Sequence, residues 1–221
     1  MFLTIINSTI NLFYPNSCIE CGKKLNNSKF LCDKCSTSIE RYSLALNKNL
    51  IEYTNIDTIS TLFMYKGIIK KLLVSVKFNS DIVNATYLGK IIAQELNKRA
   101  FDFLLYDYIL PVPMNNLHYK KRKFNQLELF LKEIRKEFIL PAVISGKKIN
   151  SNSQVGLNAE DRTNNIKGAF IINTQYQFKA KKILIFDDVV TTGATTNEIA
   201  GMLKKRGATK VDLLACCRGE L

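Results

Sequence analysis

The stretch Ile183-Leu184-Ile185-Phe186-Asp187-Asp188-Val189-Val190-Thr191-Thr192-Gly193-Ala194-Thr195 constrains the fold of this chain more than any other. Four apolar residues in a row read as a buried strand. Two carboxylates and a small-residue turn follow, and a helical pattern begins at once. A hydroxyl- and glycine-containing turn that enters a helix gathers backbone N–H groups at the helix N-terminus, which favours an anion. Thr195 is placed to cap that helix, with Glu198 three residues on to complete a capping box. Asp187 and Asp188 beside a phosphate cradle suit the hydroxyls of a sugar phosphate and a hydrated Mg²⁺.

At 221 residues the chain can bury a sizeable core and carry a small appendage. Lys and Arg number 32 against 19 Asp and Glu, a formal net charge of +13. That excess draws polyanions such as nucleic acid, an anionic membrane surface or a pyrophosphorylated ligand. The plainer source of it is a proteome rich in Lys and Asn. No apolar run reaches the roughly 18 residues of a membrane span. Residues 1–15 lack a basic leader and a cleavage pattern, so no signal peptide is expected. Phe2, Ile5, Ile6, Thr9, Ile10 and Phe13 instead follow helical spacing, as in an amphipathic helix packed on the protein. A cytoplasmic location without stable membrane insertion is expected.

Cys18-x2-Cys21 and Cys32-x2-Cys35 lie ten residues apart. Paired C-x-x-C knuckles at this interval fit a closed, tetrahedral four-thiolate Zn²⁺ site whose role is structural. A disulfide pair and a redox motif are the competing readings. A reducing compartment opposes the first, and the lack of a surrounding βαβ pattern the second.

After a weakly patterned 36–56, a β-like run around Ile59 to Tyr65 gives way at Gly67 to a helix over 68–78. Lys66, Lys70, Lys71 and Lys77 accompany that helix, either as a solvated face or as a patch that meets phosphate or DNA. A second helix is expected over 85–100, then a strand over 106–110 that ends at Pro111-Val112-Pro113 because proline cannot extend a ladder. The basic loop Lys120-Lys121-Arg122-Lys123-Phe124-Asn125-Gln126 opens a helix through about residue 138. In it Arg122 can fork onto pyrophosphate oxygens. His118 has no visible partner and reads as a surface residue. Residues 145–168 are polar and unpatterned, a length that marks functional or mobile loops. A strand over 168–172, the opening motif, a helix ending at Gly207 and a strand over 211–215 complete the chain. Cys216 and Cys217 read as small buried side chains. Alternating strands and helices imply an α/β fold, a mainly parallel sheet flanked by helices with ligands at the strand carboxyl ends. The domains expected are 1–50, with the N-terminal helix and zinc finger, and 51–221.

The 183–195 stretch resembles the loop of type I phosphoribosyltransferases, which bind phosphoribosyl pyrophosphate (PRPP). The order of motifs along the chain resembles the ComF family. The resemblance rests on the two cysteine pairs, Tyr65-Lys66-Gly67, Lys77-Phe78, Pro111-Val112-Pro113 and Arg122-Lys123-Phe124-Asn125-Gln126. It continues through Gln154-x2-Leu157-x4-Arg162-x2-Asn165 and the PRPP-type loop. It implies a small zinc finger joined to a phosphoribosyltransferase-like domain, acting in natural transformation on incoming single-stranded DNA at the inner face of the membrane. Helicase or recombinase partners are in keeping with that role.

In that setting Asp187 and Asp188 hold ribose hydroxyls or Mg²⁺-bound waters, and Asp187, Asp188 and Arg162 are the candidate catalytic residues. PRPP would be bound by these two aspartates with Val189, Val190, Thr191, Thr192, Gly193, Ala194 and Thr195, together with Arg122 and Val112. Lys123 stands where the family has glycine, which implies a different turn or an added ligand charge. Two other functions fit parts of the pattern: a nucleic-acid-binding module on a transferase fold that no longer turns over, and a nucleobase-salvage transferase, which leaves the cysteines unexplained.

Overall fold

Two units divide the chain, Met1–Glu40 and Arg41–Leu221. The computed structural model describes residues 17–25, 31–42, 54–148 and 169–219. The expected N-terminal helix, Gln154, Leu157, Arg162 and Asn165 lie outside these, as does the side chain of His118.

In the first unit Cys18 opens a tight turn in which the Gly22 amide donates to the Cys18 carbonyl at 2.8 Å. Helix α1 (Asp33–Thr37) is capped by the Cys32 sulfur, which accepts the Cys35 amide at 3.4 Å.

The described part of the second unit contains β1 (Thr58–Met64), α2 (Gly67–Phe78), α3 (Ile82–Lys98), β2 (Tyr108–Pro111), α4 (Asn116–Arg122) and α5 (Gln126–Ile134). Then come β3 (Ala142–Val143), β4 (Gly146–Lys148), β5 (Phe170–Ile172), β6 (Lys182–Val190), α6 (Ala194–Lys205) and β7 (Lys210–Arg218). Five strands form one sheet in the order β1-β7-β6-β2-β3, and every pairing in it is parallel. β4 and β5 make a separate antiparallel pair.

Period-two alternation shows why β6 sits at the centre. Ile183 and Ile185 join Val211, Leu213 and Ala215 of β7 against Ile199, Ala200 and Leu203 of α6. Leu184 and Phe186 point the other way and are equally buried. A strand covered on both faces needs an apolar run, which 183–186 supplies. α3 packs against both α2 and α5.

The chain leaves β2 toward β3 and leaves β6 toward β7, so the strand order reverses between β2 and β6. Such a reversal opens a crevice beyond the strand ends. Pro111 is paired with Phe186, which puts the end of β2 directly beside Asp187. β2 is an interior strand, and the proline stops it rather than marking an edge. One hydrogen bond outlasts it, from the Val112 amide to the Phe186 carbonyl at 2.9 Å.

Two local expectations are corrected. Thr195 is not the cap of α6: Gly193 is, at φ +73°, and having no side chain it makes no cap hydrogen bond, while Thr192 Oγ1 accepts the Ala194 amide at 3.4 Å. A cap without a side chain leaves the later amides of the first turn for another acceptor. Lys123 does not impose a different turn either. It takes the left-handed conformation itself, φ +63° and ψ +6°, as the C-cap of α4.

Candidate functional site

Two adjoining cavities lie at the strand ends. The smaller, about 60 Å³, is lined by Asp187 and residues 189–196, at the N-terminus of α6. The larger, about 560 Å³, has Asp187 and Asp188 on its wall, with Lys77, Arg122, Gln126 and Lys148 around them. Asp187 therefore borders both.

The alternation of β6 gives the two carboxylates different surroundings. Asp187 shares the face of Ile183 and Ile185 and reaches the cradle before α6. Its Oδ1 accepts the Asp188 amide at 2.8 Å. Burial and the neighbouring Asp188 carboxylate push its pKa up to about 8. The side chain still meets solvent in the cleft although protein encloses it on most sides, so water screens part of that shift. Asp188, only 6% exposed, lies on the opposite face. Its Oδ2 accepts from Lys77 Nζ at 2.9 Å and from Gln126 Nε2 at 2.7 Å.

Arg122 ties this arrangement together. Its Nε donates to the Lys77 carbonyl at 2.7 Å and one terminal nitrogen to Gln126 Oε1 at 3.0 Å. The side chain lines the larger cavity while part of its donor set fixes α2 and α5. Burial lowers the Arg122 pKa, and Asp188 opposes the change. Burial favours loss of the Lys77 proton too, but Asp188 outweighs it and holds Lys77 above the usual lysine value. Lys148 is lowered by burial, with Asp187 acting against the shift. Main-chain bridging of Asn115 to Lys148 joins β4 to the loop after β2.

Of the residues expected from the sequence, Asp187, Asp188, Arg122, Val112 and the 189–195 segment converge on these cavities. The Val112 amide is engaged by Phe186, so Val112 offers its side chain and carbonyl. Lys70 and Lys71 are exposed on α2, whereas Lys77 turns inward to Asp188. Lys77, Lys148, Gln126 and Gly219 were absent from the expected site. Lys77 and Gln126 sit in the motifs that carried the family resemblance, and the phosphate-facing alternative for the lysines of 66–77 and the basic loop 120–126 were their other signals. A Cβ on Gly219 would come within 2.8 Å of the Thr191 methyl, so this glycine lets the chain end of β7 lie against the cradle loop.

The cysteines form a second centre. One sulfur from each of Cys18, Cys21, Cys32 and Cys35 lies within 4.8 Å of all the others, the one such cluster among the described residues. Cys21 and Cys32 sulfurs are 3.8 Å apart, which matches the edge of a tetrahedron with bonds of about 2.3 Å. Burial raises Cys18, but the amides of Cys21, Cys32 and Glu20 outweigh it and bring its pKa down to about 6. Burial and the neighbouring sulfurs push Cys35 up. The cluster could hold a zinc ion, and its closed four-sulfur set suits a structural role.

A parallel α/β sheet with paired carboxylates and a hydroxyl-lined helix N-terminus at its switch point defines a phosphoribosyltransferase-like fold, here preceded by a four-cysteine unit. Over 206 residues, 91% of this chain and 90% of the relative, it is 25% identical to Competence protein F of Haemophilus influenzae. It is 27% identical to DNA utilization protein YhgH of Escherichia coli K12 across 91% of this chain and 89% of that protein. Against Competence protein ComFC of Streptococcus pneumoniae it is 24% identical, over 71% of this chain and 66% of that one. The chain is thus similar, along most of its length, to competence and DNA-utilization proteins of the ComF type. No family profile matches it. Among solved structures, a hypoxanthine phosphoribosyltransferase from Staphylococcus aureus is 14% identical with a TM-score of 0.36, over 59% of this chain and 62% of that enzyme. The Trypanosoma cruzi hypoxanthine phosphoribosyltransferase is 12% identical at the same TM-score, over 62% and 64%. The chain spans about three-fifths of the length of these two structures. The fold class rests on the strand order and register themselves. Among the described residues no helix is long and apolar enough to cross a membrane.

Proposed function

We propose that this chain binds PRPP with Mg²⁺ at the β6 strand end and serves natural transformation by acting on single-stranded DNA at the cytoplasmic side. The observation that carries the ligand is the pair of adjoining cavities bridged by Asp187. The smaller, at a helix N-terminus and rich in hydroxyls, has room for one phosphate, here the 5′-phosphate held by Thr191 to Thr195. The larger, with four cationic side chains, Lys77, Lys121, Arg122 and Lys148, has room for a pyrophosphate and an acceptor. Between them the ribose hydroxyls meet Asp187 and Asp188.

Carboxylate oxygens are the donors that Mg²⁺ prefers, so Asp187 and Asp188 fit the ion directly or through its waters. Magnesium, when bound, neutralises pyrophosphate charge. Departure of pyrophosphate leaves cationic character at the ribose C1, which two adjacent carboxylates stabilise. Arg122 orients the cationic wall, and Arg162, outside the described residues, is the expected cation over the leaving group. The role in DNA use follows the names of the relatives, Competence protein F and DNA utilization protein, and accords with the +13 charge.

Titration calorimetry with PRPP and Mg²⁺ tests the ligand. Binding should appear and weaken at least about tenfold in Asp187→Asn, since charge-assisted contacts are lost. Absence of heat, or affinity indifferent to both aspartates, would refute it.

A further inference from the structure

Among the described residues Lys77 is the one lysine that both lines the larger cavity and pairs with a carboxylate of the site. Its side chain retains 22% exposure, against 9% for that of Asp188, so the pair sits on the cavity wall with the cation on the open side. The Arg122 guanidinium grips the Lys77 carbonyl and Gln126 Oε1, so the Lys77 backbone and the Gln126 amide are fixed, whereas a lysine stem has four carbons through which its ammonium can be moved. Gln126 gives Asp188 a second donor on the same oxygen at 2.7 Å. Asp188 is thus not left without a hydrogen bond if the ammonium departs, which lessens the cost of leaving its charge without a cation.

We propose that Lys77 is an exchangeable counter-ion. In the ligand-free protein it neutralises Asp188. When a pyrophosphate group enters the larger cavity the ammonium moves onto a phosphate oxygen, while Gln126 keeps Asp188 in place for the sugar hydroxyls or the ion. The polyanion is thus recognised by a cation that pairs with Asp188 in its absence. No bond is made or broken in the exchange. The inference deepens the PRPP reading and rests on it for the identity of the natural ligand, but inorganic pyrophosphate tests it separately.

The experiment is a double-mutant cycle on the full chain, measuring inorganic pyrophosphate by calorimetry with magnesium chelated. Lys77→Met should weaken pyrophosphate about tenfold or more. In the Asp188→Asn background the ammonium need not leave a carboxylate, so the same substitution should cost several-fold more there. The double variant replaces the buried pair by neutral groups and so remains folded even if Lys77→Met alone does not. Equal losses in the two backgrounds would show a fixed charge and overturn the exchange. No loss in either would remove Lys77 from the anion site. Heat from PRPP with Mg²⁺ but no coupling in the cycle sinks the exchange and leaves the PRPP reading standing, whereas coupling without PRPP binding does the reverse.

Discussion

Replacing Lys123 by glycine should stabilise the protein, because the lysine holds a backbone conformation that glycine adopts without strain. Lys123 ends α4 at φ +63°, with its amide donating to the Tyr119 carbonyl. A side-chain-bearing residue in that region costs about 1–2 kcal/mol. Glycine removes this cost but loses more conformational freedom on folding, about 0.5–1 kcal/mol. The difference leaves a gain of about 0.5–1 kcal/mol, or roughly 1–4 °C in Tm for a domain of this size. Lys123 is exposed and is not among the residues lining the larger cavity, so no ligand contact offsets the gain. Lys123→Ala separates charge from backbone: it removes the ammonium, keeps the Cβ, and should leave Tm nearly unchanged. Ala180, at φ +60°, offers a test free of charge, and Ala180→Gly should shift stability in the same direction. Urea and thermal melts of the four proteins decide the matter. If Lys123→Gly is no more stable than Lys123→Ala, the strain argument is wrong.

Zinc should be present at about one ion per chain, and Cys32→Ser should lose it, since Cys32 would supply one of the four sulfurs and is also the cap of α1; a metal assay after dialysis against a weak chelator reads the outcome. Asp187→Asn should change the pH dependence of stability. Because the folded carboxyl is raised to about 8, the folded state binds a proton that the unfolded state has released above about pH 4, so native stability falls as pH rises toward 8. The variant lacks this slope, and its advantage in urea melts should grow by about 1–2 kcal/mol between pH 5.5 and 8.5 after allowance for solvent in the cleft. Single-stranded DNA affinity should fall steeply with salt, with a log–log slope of about −0.7 per phosphate contacted; fluorescence anisotropy at several salt concentrations would expose a flat response.

What the sequence disclosed and what it hid divide along range. The β6–turn–α6 motif was legible because strand, turn and helix start are dictated within thirteen residues, and so was the cysteine cluster, whose spacing is itself the ligand geometry. The parallel sheet followed from alternation of strands and helices. β3 and β4 escaped, being two- and three-residue strands, too short for any periodicity to show. The cap of α6 was misplaced because threonine is a good N-cap locally, whereas the chain turns into the helix at Gly193 in a positive-φ conformation that glycine adopts without strain. The cationic frame could not be seen in the motif at all. Gln126 meets Asp188 across 62 positions, and Lys77 arrives from a helix whose other lysines face solvent. Period two could have separated the aspartates in advance, since adjacent strand residues must face opposite ways. That single rule places Asp187 with the turn before α6 and turns Asp188 toward whichever helices cover the other face. A carboxylate turned into a packed face needs compensation there. The inward lysine is thus a consequence of the Asp-Asp pair rather than an independent feature, and a chain with the same motif but neither cation nor amide donor on that face would leave the second carboxylate there without a partner.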